Sequence, residues 1–219
     1  MTLARDEVVP GMLAEYQSFS ELLRGLSDDQ WETPSRCAGW RVADVAAHVT
    51  GQLTDVVNLR LEGLGTPEVT KRQVDDHRGR SPQDLAEELE ASTKAASDLV
   101  GAFDDAAWVA PGPQGATTLG FGLEALWFDT FLHADDMRCV LGIPSQHGAG
   151  IRPSLSHIAQ VLTDQGWASA TLVLDGVEQF PVSGGGRSIT GDAFAFVLAS
   201  TGRGDPGTFG LGEDVNIYR

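Results

Sequence analysis

The stretch Leu119–Leu141, LGFGLEALWFDTFLHADDMRCVL, limits most strongly what this chain can fold into. It reads as one long helix. Its first half is apolar nearly all the way round, through Leu119, Phe121, Leu123, Leu126, Trp127, Phe128, Phe131 and Leu132. A helix of that kind is buried on most sides. Asp129 and His133 nevertheless sit inside it, four residues apart and so on one face, one turn apart. Asp136 falls on the same stripe. A buried carboxylate is costly unless it is paired or bound to a metal. The Asp–His stack therefore has two explanations, a metal site or an ordinary Asp–His hydrogen bond.

A helix buried on most sides needs other helices around it, and the chain supplies them. With 219 residues, 42% of them hydrophobic, it is long enough for a real core. Residues 4–26 carry Val8, Met12, Tyr16, Phe19 and Leu23 at helical spacing. Residues 42–63 form a second helix around Val42, Val45, Val49, Leu53 and Val56, with His48 at the flank of the apolar arc. Ser81, Pro82 and Asp84 open a third helix with a capping serine, proline at the first helical position and an acid three residues on. Gly142 and Pro144 stop the fourth. Four helices of this length make a four-helix bundle pattern over residues 1–148.

The connectors are read as follows. ETPSRCAGWR, residues 32–41, is a turn in which Trp31 and Trp40 plug one end of the bundle and Cys37 is a packing residue. Residues 64–80 are polar and irregular, with His77 solvated among Asp75, Asp76 and Arg78. Residues 104–118 are a loop containing PGPQG at 111–115. Beyond residue 148 the pattern changes. A helix over 153–166 is followed by short strands at 170–174, 179–182 and 187–190. Asp192 caps a further helix, and Val215–Tyr218 is a last strand. Residues 149–219 thus form a small α+β domain. The fold class is mainly α, a four-helix bundle followed by that appendage.

The formal net charge of −16 speaks against a nucleic acid or an anionic membrane surface as partner. No apolar run of about 18 residues suggests a membrane span. Two cysteines without CxxC spacing argue against a disulfide framework and fit a reducing compartment, so a soluble cytoplasmic protein is expected. No phosphate-binding glycine motif is present.

Two segments together carry a resemblance. LLRGLSDDQWETPSRCAGWRVADVAAHVTGQ (residues 22–52) and FDTFLHADDMRCVLGIP (residues 128–144) resemble the DinB-like superfamily, in its mycothiol-dependent maleylpyruvate isomerase and mycothiol S-transferase branch. ITGDAFAFVLASTGR and the final VNIYR are similar to the small domain appended in that branch. The resemblance implies a divalent metal held between the second and fourth bundle helices by His48, Asp129 and His133. Zinc is the first expectation, with nickel, manganese or iron as alternatives. Many relatives have Glu where Asp129 stands, and the shorter Asp implies a tighter site or a ligand acting through water. Asp136 matches a position with a supporting role. Arg203 matches an arginine of the small domain that binds substrate carboxylate, and Arg187 is a weaker candidate.

The residue chemistry agrees with that expectation. Two imidazoles and one carboxylate suit a divalent ion and leave coordination positions open, as chemical rather than structural sites do. The function implied is a metal-dependent, thiol-dependent transferase or isomerase. Mycothiol or another low-molecular-weight thiol is the cosubstrate, acting on a small electrophile. Two other classes compete with this one. A two-His, one-carboxylate iron oxygenase is contradicted by the helical pattern. A non-catalytic bundle that binds metal or a small ligand, for sequestration or regulation, stays open.

Overall fold

The computed structural model describes residues 3–112 and 117–219. Pro113–Gly115 of the PGPQG loop lie outside the described residues. Four long helices dominate the first part of the chain: α1 (Arg5–Arg24), α3 (Val42–Val57), α5 (Pro82–Gly101) and α7 (Leu119–Leu141). Among the described residues, three short helices sit between them, α2 (Asp28–Trp31), α4 (Pro67–Asp76) and α6 (Asp105–Val109). α1 packs on α5 and α7, and α3 packs on α5, α4 and α7, which closes the ring of a four-helix bundle. The α3–α7 seam is the loosest of the four long-helix pairings.

Local sequence explains the helix ends. The Ser81 hydroxyl accepts from Asp84 N while the Asp84 carboxylate accepts from Ser81 N, a complete capping box. Thr118 caps α7 at Phe121 N, and Gly142 ends it in the left-handed conformation at φ 66°. The core between the helices is built from Met12, Tyr16, Phe19, Leu23, Leu53, Leu85, Leu89, Leu132 and Met137, all essentially without solvent exposure. Each such side chain contributes about 1.5–3 kcal/mol of burial energy. Gly11 lets α1 approach α7: a Cβ there would lie 2.0 Å from the Trp127 ring.

Three expectations are corrected. The second helix ends at Val57 rather than 63. Residues 64–80 are not irregular, since Thr66 caps α4 there with Pro67 in its first turn. His77 is not solvated but buried: its Nδ1 donates to Gln73 O at 2.8 Å and its Nε2 lies 3.0 Å from Glu88 Oε1. The physical reason is the same for both. α4 packs on α3 at Gly51, where a Cβ would come within 2.9 Å of Gln73 Cβ. The inward face of a short polar helix is thereby covered.

The chain divides into two compact units, Ala4–Gln146 and His147–Arg219, the latter together with Leu3. In the second unit α8 (Ile151–Asp164) packs on α9 (Ala193–Ser200) and on a three-stranded sheet. Its order is β2-β1-β3. β1 (Ala170–Leu174) pairs antiparallel with β2 (Phe180–Val182) and parallel with β3 (Arg187–Gly191). Asp192 caps α9 at Ala195 N. The expected last strand is absent. Glu213–Val215 is a 3-10 turn, anchored where Trp167 Nε1 donates to Asp214 Oδ2 at 2.8 Å. Among the described residues, no helix is long and apolar enough to cross a membrane.

Candidate metal centre

The site lies at the α3–α7 seam and is built by four pieces of chain. α7 supplies Asp129, His133 and Asp136 from one stripe. α3 supplies His48, α4 supplies Gln73, and the 32–41 turn supplies Arg36, Cys37 and Trp40. That turn is closed by Ser35 N donating to Trp40 O at 2.8 Å and Trp40 N donating to Cys37 O at 3.0 Å. Gly39 takes φ 81° to permit it.

The structure brings His48, Asp129 and His133 together. One ligand atom from each lies within 4.8 Å of the others. His48 Nε2 is 3.4 Å from Asp129 Oδ2, and His133 Nε2 is 3.6 Å from Asp129 Oδ1. The outer nitrogens of both rings are engaged elsewhere. His133 Nδ1 donates to Asp136 Oδ2 at 3.0 Å. His48 Nδ1 meets Gln73 Oε1 at 2.9 Å, and Gln73 Nε2 donates to Asp55 Oδ2 at 2.7 Å. A carboxylate only accepts, so His133 Nδ1 carries a proton, and in the neutral ring its Nε2 faces Asp129 as a lone pair. Two ring nitrogens and a carboxylate thus converge. That donor set fits a divalent cation.

Asp136 is fully buried, and three donors explain how it stays there. Arg36 Nε reaches Oδ1 at 2.8 Å, and His133 Nδ1 and Cys37 Sγ reach Oδ2 at 3.0 and 3.1 Å. Arg36 also pairs with Asp135, which Ser145 Oγ holds from the other side. Burial works against the Arg36 charge, but hydrogen bonds and charge from Asp136 and Asp135 outweigh it and raise its pKa. Trp40 roofs the cluster. Its ring stacks near-parallel on His133, centroids 6.3 Å apart, and lies tilted on His48 at 5.5 Å.

Trp40 therefore serves as a wall of the site, while Trp31, at the end of α2, is buried and donates to Arg80 O at 3.2 Å. The Cys37 thiol lies against the His133–Asp136 pair. Arg203 belongs to the second unit, where its Nη1 donates to Thr201 O at 3.0 Å. Arg187 opens β3 in the same unit. Gln73 and Asp55 escaped the sequence reading. The one available signal was His48, Gln52 and Asp55 recurring at helical spacing along α3.

The model of the mycothiol maleylpyruvate isomerase N-terminal domain matches residues 12–138, more than half of the chain. The chain belongs to this family. Two crystal structures are similar to it at 22% identity, over 96% of this chain and 96% of theirs. One is the mycothiol-dependent maleylpyruvate isomerase, with a TM-score of 0.62, and the other a histidine-to-alanine mutant of it, at 0.63. At that identity the likeness is one of fold, and it bears out the expected DinB-like bundle with its small α+β appendage. No curated protein sequence matches. Within the family match lie all of His48, Gln73, Asp129, His133 and Asp136.

Proposed function

We propose that this protein is a thiol-dependent isomerase or S-transferase in which His48, Asp129 and His133 hold a divalent metal ion, zinc in the first instance. Membership in a family named for mycothiol and maleylpyruvate isomerase supports the thiol-dependent enzyme. The observation that carries the metal is the convergence of two imidazole nitrogens and a carboxylate oxygen within 4.8 Å of one another. The thiol proposed is mycothiol, the partner a small conjugated electrophile, and the compartment the cytoplasm.

A divalent ion bound there would lower the pKa of a coordinated thiol and so supply thiolate at neutral pH. The chain's own residues set the stage for that chemistry. Three protein ligands leave positions open for the thiol sulfur. Asp136, neutralised by Arg36, holds the His133 ring in one orientation, and Gln73 does the same for His48. Trp40 covers both imidazoles on one side and restricts water there. In isomerisation the thiolate forms a C–S bond to one end of the conjugated double bond, and the π pair moves into the adjoining carbonyl system. The remaining single bond rotates, and cleavage of the C–S bond restores the double bond and releases the thiol. In transfer the C–S bond is kept and the carbon anion takes a proton.

The test is turnover of maleylpyruvate with and without mycothiol, before and after chelation of metal. Turnover that needs both thiol and metal supports the proposal. Turnover indifferent to the thiol overturns it. Metal bound with no turnover of any electrophile would leave a binding bundle.

A further inference from the structure

We propose that Asp55 and Gln73 are positioning residues that fix the His48 imidazole as its Nδ1–H tautomer, so that Nε2 faces the site as a lone pair. The consequence for metal affinity rests on the reading of His48 as a ligand; the tautomer itself does not. A buried polar chain runs from α3 through α4 and back to α3. It begins at Asp55, which has no solvent exposure and lies between two guanidinium groups, Arg60 Nε at 2.8 Å and Arg72 Nη2 at 2.6 Å. Toward Gln73 it offers only an acceptor, so the Gln73 amide must turn its NH₂ to Asp55, at 2.7 Å. The amide oxygen is then the atom left for His48 Nδ1, at 2.9 Å. An oxygen cannot donate, so the proton sits on Nδ1.

Each link dictates the next, and the direction originates in a carboxylate about two turns of α3 from the ligand. An unconstrained imidazole favours the proton on Nε2, which would aim a hydrogen at Asp129 and block the metal face of the ring. The relay reverses that preference. It also explains Gly51. A Cβ at that position would lie 2.9 Å from Gln73 Cβ, 3.1 Å from its Cγ and 3.1 Å from His77 Cε1. Only glycine lets α4 come close enough for the Gln73 amide to reach both partners. His77, bonded to Gln73 O and to Glu88, pins the end of the same helix.

The experiment is a long-range 1H–15N correlation spectrum of the metal-free protein at alkaline pH, where the rings are neutral. Zinc titration follows on the same samples. Wild-type His48 is expected as Nδ1–H. Asp55→Leu removes the acceptor that orders the Gln73 amide and so releases the His48 tautomer. Gln73→Leu removes the acceptor and releases the tautomer, and Gly51→Ala should do so by displacement alone. His133 should be unaffected in all three. Zinc affinity should fall about 10–100-fold in Gln73→Leu. Wild-type His48 found as Nε2–H overturns the proposal, whatever the variants do. So does an unchanged Nδ1–H tautomer in Gln73→Leu. A tautomer that moves while zinc affinity stays at the wild-type value overturns the positioning role. Tautomers that behave as expected in a protein that takes up no zinc support the relay and refute the metal reading, so the two can fail separately.

Discussion

Replacing Asp136 in two ways should separate its work in the fold from its work at the site. Its carboxylate is fully buried and takes Arg36 Nε at 2.8 Å, His133 Nδ1 at 3.0 Å and Cys37 Sγ at 3.1 Å. Asp136→Leu removes every acceptor and leaves a guanidinium short of one partner. Removing one member of a buried pair costs about 3–5 kcal/mol. Arg36 keeps Asp135 and its side chain is 20% exposed, so the lower end, about 3 kcal/mol, is expected. Asp136→Asn keeps an oxygen for Arg36 but places NH₂ opposite His133 Nδ1–H and the Cys37 thiol. The ring can relieve that clash by moving its proton to Nε2, at a net cost of about 1–2 kcal/mol. The proton then points at Asp129, and zinc affinity should drop about 10–100-fold. Urea unfolding followed by far-UV circular dichroism reads the stability, and zinc titration reads the site. An Asn variant that binds zinc as wild type does, or that loses more stability than the Leu variant, would overturn this role for Asp136.

Three further outcomes are expected. Glu15 and Glu88 should show opposite pH signatures in urea melts. Burial raises Glu15 against the pull of Trp127 and Arg138, so stability falls as pH climbs from the ordinary value near 4.5 through its folded pKa, and Glu15→Gln should be more stable than wild type at neutral pH. For Glu88 burial is outweighed by His77, Thr54 and Arg80, and its pKa is lowered. Its stabilisation is therefore complete above about 4.5 and lost as pH falls through the folded value, so Glu88→Gln should be destabilised at neutral pH and converge with wild type in acid. Equal and pH-independent effects of the two variants would contradict this. Cys37→Ser keeps a donor toward Asp136 and should leave thiol-dependent turnover largely intact, whereas total loss would assign Cys37 a chemical role. Arg203→Met tests the carboxylate role implied by resemblance: KM for a carboxylate-bearing electrophile should rise with zinc content unchanged, and unchanged kinetics would remove Arg203 from the site.

The contrast between α7 and α4 shows what made a residue legible. α7 announced itself because an apolar run with caps at both ends admits one structure, and Asp129 and His133 stood out as charges where none should be. His48 did not stand out, since a histidine at the flank of α3 looks like many others; only the resemblance singled it out. α4 was missed because its residues, PEVTKRQVDD, have the composition of a solvated loop. What buries Gln73 and His77 is the bare backbone of Gly51, a tertiary feature with no local period. Trp40 was recognised as too large to leave in water, but its partner could not be read, because the His48 and His133 rings come from two helices far apart in sequence. Val215–Tyr218 had the alternation of a strand, yet Asp214 is drawn to the Trp167 indole and the chain turns there instead.

The most direct test of the account is metal content by elemental analysis, on protein purified without a metal-affinity step, for wild type, His48→Ala and His133→Ala. About one divalent ion per wild-type chain is expected, lost in both variants while the helical far-UV signal is kept. A wild-type chain that carries no ion and takes none up on titration would contradict it, as would variants that keep the full wild-type stoichiometry.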